Sequence, residues 1–526
     1  MSMRIFPDFD EFVAAARQGN LVPVCAEQLA DLLTPVGAYL RVASHLERPF
    51  LLESAEGGES VGRFSFIGGD PFLEVLGDAE GIVLRQPDGE ERRVSGDPLR
   101  ALADLQSRYR APHVAGAPPF AGGAVGYVGY DAVRWVEEIP MGGATDTQLP
   151  RLYLAYYDTV LAFDHLRHRV ILVANARIED ADDEAHLRAS YAEAQERLRH
   201  LSELLESAPL PAAPLDSETD IDLPPLSVET SMGREPFCSA VEAAKDLIVA
   251  GDAFQVVLSR RLTCPTVASP ISVYRALRAI NPSPYMFVLD TDGTQIVGSS
   301  PEMLVKVQDG VVETRPIAGT RPRGRDGEED QLLEAQLLAD DKERAEHLML
   351  VDLGRNDVGR VASFGSVEVP EFMQVERYSH VMHLVSSVRG RLRDDVSPIE
   401  AFFAGFPSGT VSGAPKISAM EIIQDLERTA RGVYAGAILY CDFAGNIDSC
   451  IAIRTITMRD GQATVQAGAG IVADSDPDTE FEETEQKAAA ALQALMWADG
   501  AERSASACGG EARAAGSESS LAGGEP

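Results

Sequence analysis

Basic residues are scarce in this chain: 46 lysines and arginines stand against 82 aspartates and glutamates in 526 residues, giving a formal net charge of -36. The isoelectric point near 4.6 that follows repels phosphate backbones and anionic headgroups, which argues against nucleic acid or a lipid surface as a partner. Cysteine is sparse as well. The six, at 25, 238, 264, 441, 450 and 508, form no C-x-x-C and no metal-ligand spacing, as expected of a reducing compartment. No apolar run approaches the roughly 18 residues of a membrane span, and the opening MSMRIFPDFDEF has no apolar core of signal-peptide length. A cytoplasmic protein is therefore expected. What the chain does have is 45% hydrophobic residues, enough for a large core and, by length, about two to four domains.

Two composition breaks organise it. Residues 203–228 are rich in proline and acid and lack periodicity, marking a linker between an N-terminal block, 1–202, and a second block, 229–498. From 499 to 526 the chain is Gly/Ala/Ser/Glu-rich, so a disordered tail is expected there. Both blocks mix strand-like runs, such as RLYLAYYDTVLAF and CIAIRTITM, with irregularly spaced helical stretches, which points to an α+β class rather than a doubly wound sheet. The string GGAVGYVGYD (122–131) lacks the G-x-G-x-x-G order and a following helix start, so it reads as tight turns between strands and not as a dinucleotide loop.

Two glutamate pairs, Glu343/Glu346 and Glu480/Glu483, are each spaced by three residues, which places both carboxylates of a pair on one helix face. The first lies in the helical pattern QLLEAQLLADDKERAEHLMLVDL; the second follows Asp476 and Pro477, a plausible N-cap and first helical residue. Should the faces meet, the four carboxylates suit Mg²⁺, a hard cation that takes one or two carboxylates plus waters and an anionic substrate. Alone, the same pairs describe two solvated helix faces.

Their neighbours decide between these. The second block contains GDAFQVVLSRR (251–261), GSSPEMLV (298–305), RPIAGTRPRG (315–324), AEHLMLVDLGRND (345–357), YSHVMHLVS (378–386), FPSGTVSGAPK (406–416), RGVYAGAILY (431–440), AIRT (452–455) and QAGAGIV (466–472). These strings resemble the chorismate-utilising enzymes, and within them the large component of anthranilate synthase. The resemblance is strong over 230–495 and looser in the first block, through LLESAEGG and VGRFSFIGGDP. It implies large β-sheets packed together and flanked by helices, and a lyase acting on chorismate with Mg²⁺.

Carried over residue by residue, the resemblance implies that Glu346 and Glu483 hold the metal, with Glu343 and Glu480 close by. It implies that Gly319 and Thr320, Gly468, Ala469 and Gly470, Thr410, Tyr434, Arg454 and Lys487 line the substrate site. A guanidinium grips a carboxylate with two prongs and a phenol adds one bond, the part expected of Arg454 and Tyr434. Lys487 also fits a routine Glu-to-Lys pair with Glu483. Departure of a ring hydroxyl requires a proton, and Glu302 matches the family's general acid. His383 matches the active-site histidine, whereas His380 beside it reads as a satisfied core residue.

Two positions indicate the product. Relatives that add water to chorismate have lysine where this chain has Gln255, and an amide cannot serve as that base. Aminodeoxychorismate synthases usually have a lysine where this chain has Ala318, and a methyl group cannot attack the ring. The expected reaction is therefore amination by ammonia and elimination of pyruvate to give anthranilate, with an aminodeoxychorismate synthase component or a non-catalytic aromatic-amino-acid sensor as the alternatives. No cysteine lies in a glutaminase-like turn, so ammonia is expected from a separate glutamine amidotransferase subunit, in a heterotetramer of two large and two small chains. Finally, LLES (51–54) and NPSPYM (281–286) match the family's tryptophan-binding elements, making Ser54, Pro284, Tyr285 and Met286, with Glu53 adjacent, candidates for binding L-tryptophan as a feedback inhibitor.

Overall fold

A computed structural model describes residues 3–54, 62–139, 149–209, 226–378 and 381–518. Two antiparallel sheets, of 13 and 12 strands, pack together and are flanked by helices, the α+β architecture expected. The period of two along each strand explains the layering. In Phe50–Glu53, Phe50 enters a cluster shared by both sheets, with Phe66, Phe120, Tyr127, Tyr157 and Phe287. Leu51 points the other way, to the cluster beneath the outer helices, with Leu198, Tyr274 and Val288. Each such side chain contributes roughly 1.5–3 kcal/mol on leaving water. The second sheet is covered in the same way by Pro98–Ser107, Asp341–Val361 and Pro398–Ala404.

The break at the proline-rich segment divides the sequence but not the sheets. In the first sheet, Phe50–Glu53 of the N-terminal block pairs with Tyr285–Thr291 of the second, Met286 opposite Glu53 and Leu289 opposite Phe50. In the second sheet, Gly123–Val128 pairs with Ala437–Asp442. The glycine string expected to form turns is thus a strand at a seam. Gly126 serves close backbone approach there: a Cβ on it would stand 1.9 Å from the Tyr153 carbonyl oxygen.

Three boundaries differ from those expected. The long helical pattern is two helices, Gly327–Ala339 and Asp341–Val361, broken at Asp340, whose side chain accepts from the N–H groups of Lys342 (3.0 Å) and Glu343 (3.2 Å). Helix Glu184–Ser207 takes in the first residues assigned to the linker, of which 210–225 lie outside the described residues. The last helix, Pro477–Glu518, begins as expected, with Asp476 accepting from the Thr479 N–H at 3.0 Å, but it runs on past 498 as far as Glu518, where composition predicts a disordered tail. Extending an existing helix is far easier than nucleating one, and alanine is the best helix former. Side chains also anchor it: Asp499 accepts from the Val267 and Ala268 N–H groups at 2.8 and 3.0 Å, and Glu502 from that of Ser269 at 2.9 Å, at the N-terminus of Pro270–Ile280. Among the described residues, no helix is long and apolar enough to cross a membrane.

Candidate active site

Glu302 lies between strands Thr294–Ser300 and Met303–Gln308 and is buried. Burial pushes its carboxyl up to about 8, against the opposing pull of a Thr410 hydrogen bond and of Lys487 and Arg454. The Thr410 hydroxyl donates to Glu302 Oε1 at 3.0 Å. A carboxyl so placed carries its proton at neutral pH and has a route to lose it.

Arg454 is half-buried at φ 49, in the left-handed region that a β-carbon disfavours. Its carbonyl is held by the Ser299 N–H at 3.2 Å. Among the described residues no carboxylate forms an ion pair with this guanidinium, although the Glu302 charge reaches it. Tyr434 is buried, and its hydroxyl stands beside Gly468, where a Cβ would come within 2.7 Å of it.

The G-A-G segment is strand rather than turn, within Gln462–Ile471, with Gly468, Ala469 and Gly470 opposite Ser259, Leu258 and Val257. Ser259 N–H instead donates to Glu427 at 2.7 Å, and the Val257 carbonyl accepts from Arg431 at 2.7 Å, so both of these residues turn away from the glycines. By the alternation of an antiparallel ladder, Gly468 and Gly470 point their N–H and carbonyl groups to the other edge, while Ala469 is turned to the ladder with Leu258. That edge is open, since Thr455–Arg459 reaches only as far as Val465. Lys487 confirms the direction, its Nζ donating to the Gly468 carbonyl at 3.1 Å while pairing with Glu483 at 2.7 Å. Two backbone donors thus face the site from this strand.

His383 sits in Val381–Arg391, and burial lowers its pKa below the usual histidine value. Its Nδ1 lies 3.1 Å from the Gly319 carbonyl oxygen and 3.1 Å from Thr320 Oγ1. A carbonyl only accepts, so Nδ1 carries the proton and Nε2 presents its lone pair. Gly319 is the bulge that turns this carbonyl, at φ 67, with Glu343 Oε2 only 3.2 Å from where a Cβ would be. His380 lies outside the described residues.

The four glutamates come from the first two turns of Asp341–Val361 and Pro477–Glu518, Glu343 and Glu480 in the first and Glu346 and Glu483 one turn further on. Burial raises the Glu346 carboxyl, with Glu343 and Glu483 adding repulsion; burial likewise raises Glu480, with Glu483 adding to it. The two faces therefore meet electrostatically. Gln255 Nε2 reaches Glu346 Oε1 at 3.3 Å, Arg321 pairs with Glu343 at 3.0 Å and Lys487 with Glu483 at 2.7 Å, so Glu346 is held by a neutral amide where Glu343 and Glu483 each meet a cation. Among the described residues no three His, Cys, Asp or Glu side chains are gathered closely enough to form a ready-made metal cage. Two carboxylates from two helices, Glu346 raised by burial and by its like-charged neighbours and Glu483 facing it, nevertheless form a donor set that Mg²⁺ suits, since that ion keeps several of its waters.

A family profile described as chorismate binding enzyme matches residues 49–493. Anthranilate synthase component 1 of Acetivibrio thermocellus is 46% identical over 491 residues, covering 93% of this chain and 98% of its own length. That of Pseudomonas aeruginosa is 46% identical over 503 residues, covering 93% and 99%. The chain belongs to the anthranilate synthase component 1 family. The crystal structure of anthranilate synthase component I from Streptococcus pneumoniae superposes with a TM-score of 0.71 at 38% identity, over 88% of this chain and 99% of that one. The menaquinone-specific isochorismate synthase from Escherichia coli shares the fold, with a TM-score of 0.65 at 18% identity over 93% and 98%.

The chain also carries a second concavity. A cavity of about 340 Å³ at the seam of the first sheet is lined by Ser54, Pro284, Tyr285, Met286, Tyr440 and Asp448, among others. It therefore gathers all four residues expected to bind tryptophan. Glu53 is turned into protein, accepting from Tyr274 Oη at 2.6 Å and Arg278 Nε at 3.0 Å. Sequence reasoning missed Asp448, which accepts from Tyr285 Oη at 3.2 Å, and Arg321, which quiets Glu343. Arg321 stood in the quoted RPIAGTRPRG string, one residue after Thr320. Asp448 lies in a strand with no signal of its own.

Proposed function

We propose that this chain is the synthase subunit that converts chorismate and ammonia to anthranilate and pyruvate. The observation that carries the reading is Glu302: a buried acid, protonated near neutral pH and fixed by Thr410, near Arg454, which has no ion-pair partner among the described residues. Arg454 and Tyr434 take the enolpyruvyl carboxylate, with the Gly468 and Gly470 N–H groups beside them as further donors to the substrate. Glu302 gives its proton to the departing C4 hydroxyl, which leaves as water, while ammonia adds at C2. Gln255 supports this choice of nucleophile because its amide, committed to Glu346, cannot deprotonate water. Loss of the C2 proton and of pyruvate then makes the ring aromatic, and His383 Nε2 offers a lone pair for proton handling. Mg²⁺, held by Glu346 and Glu483, would neutralise the ring carboxylate and stabilise charge there as the hydroxyl leaves.

Ammonia comes from glutamine through a separate amidotransferase subunit, and tryptophan occupies the seam cavity as a feedback inhibitor; both act on a cytoplasmic enzyme of tryptophan biosynthesis. The test is purified chain with chorismate, Mg²⁺ and an ammonium salt at alkaline pH, with and without tryptophan. Anthranilate with stoichiometric pyruvate, suppressed by tryptophan, is the expected result. An amino-ring product retaining its enolpyruvyl group would overturn the reading.

A further inference from the structure

Behind the Tyr434 hydroxyl lies a polar cluster that none of the roles above uses. Arg431 and Glu427, each with a side chain only 2% exposed, are paired at 2.6 Å. A buried ion pair persists only where its remaining donors are satisfied. Here Arg431 also donates to the Val411 and Val257 carbonyls, each at 2.7 Å. Glu427 Oε1 accepts from the Ser259 hydroxyl at 2.8 Å as well as from its N–H, and Gln466 Nε2 donates to Ser259 Oγ at 2.8 Å. Ser259 lies opposite Gly468 in the ladder, and a Cβ on that glycine would stand 3.0 Å from Ser259 Cβ and 2.7 Å from the Tyr434 hydroxyl, so the two side chains flank the same residue.

A serine hydroxyl has one proton and two lone pairs. Glu427 takes the proton and Gln466 fills one lone pair, so the second is left for the Tyr434 O–H. Burial pushes Tyr434 up to about 12, which keeps it a donor. We propose that Ser259 is a positioning residue for substrate binding: it holds the Tyr434 proton while the site is empty and, by turning its own proton from Glu427 to the Tyr434 oxygen, releases Tyr434 to donate to the incoming carboxylate. No proton changes owner; two O–H bonds rotate. Glu427 keeps Arg431 and the Ser259 N–H as donors throughout, so the rotation leaves no charge unpaired. This rests on the reading of Tyr434 as a substrate contact.

The experiment is a double-mutant cycle on the full chain with Mg²⁺ and ammonium, reading KM for chorismate and kcat separately. Ser259→Ala and Tyr434→Phe are each expected to raise KM about three- to tenfold with kcat little changed, as for loss of one neutral hydrogen bond. In the Tyr434→Phe background, Ser259→Ala is expected to add nothing. Ser259→Cys, of similar volume with a weaker donor, should show the same pattern at smaller amplitude and serves if the alanine variant does not fold. An effect of Ser259→Ala that persists undiminished beside Tyr434→Phe overturns the positioning role while leaving Tyr434 in place. An unchanged KM in Tyr434→Phe alone overturns both.

Discussion

Burial holds the Glu302 carboxyl protonated up to about 8, against an ordinary value of 4.5, and so makes opposite demands on catalysis and on stability. A carboxyl whose folded pKa lies above its unfolded one binds an extra proton in the folded state, so its contribution to stability is lost as pH rises from 4.5 towards 8. At pH 7 that loss is on the order of 3 kcal/mol. Glu302→Gln, which keeps the shape without the titration, should lower kcat/KM by roughly 10²–10⁴. It should also melt at a higher temperature than the parent near pH 8 and show no such gain at pH 4. A variant that retains full activity, or that is destabilised at pH 8, would refute the role given to this acid. The identities gathered here, Glu302, His383, Gln255 and Arg454, were legible in short strings. Their states were not: the tautomer of His383 depends on the Gly319 carbonyl, and the support of Tyr434 on a Ser259–Glu427 bond spanning 168 residues of chain. Local sequence carries neither.

At the scale of elements, the hairpin of Tyr285–Thr291 and Thr294–Ser300 joins the seam cavity to the candidate active site. Its last strand carries Ser299, fully buried, whose hydroxyl donates to the Asn281 carbonyl at the start of the NPSPYM element. The Ser299 N–H donates to the Arg454 carbonyl at 3.2 Å. The segment that leads into Pro284–Met286 is thus tied by two hydrogen bonds, through Ser299, to the backbone carbonyl of Arg454, the residue proposed to hold the substrate carboxylate, and Arg454, already in a left-handed backbone conformation, has little freedom to absorb a shift. Ser299→Ala should bind tryptophan with near-parental affinity by calorimetry while tryptophan raises chorismate KM several-fold less than in the parent; equal inhibition of the two would remove this connection. Periodicity found the helices and strands themselves, but not where long helical patterns end. The break at Asp340 and the continuation beyond 498 follow from capping and from partners distant in sequence.

On the scale of the whole molecule, each sheet takes strands from both sides of the proline-rich break, so the two blocks share their hydrogen-bond ladders and the aromatic cluster between the sheets. Composition divides such a chain in two; topology joins it again. Unfolding followed by tryptophan fluorescence and by circular dichroism should therefore give coincident transitions in denaturant. Two separated transitions, or a folded fragment comprising 1–209 alone, would contradict the shared sheets.

The seams also set a schedule for synthesis. Phe50–Glu53 waits for Tyr285–Thr291, and Gly123–Val128 for Ala437–Asp442, before either sheet is complete. At roughly 5–20 residues per second, each strand remains an unpaired edge on the ribosome for about 10–60 s, long enough to pair with a neighbouring nascent chain. Shielding those two waiting edges while the rest of the chain is still being made is accordingly a demand that the seams place on folding during synthesis.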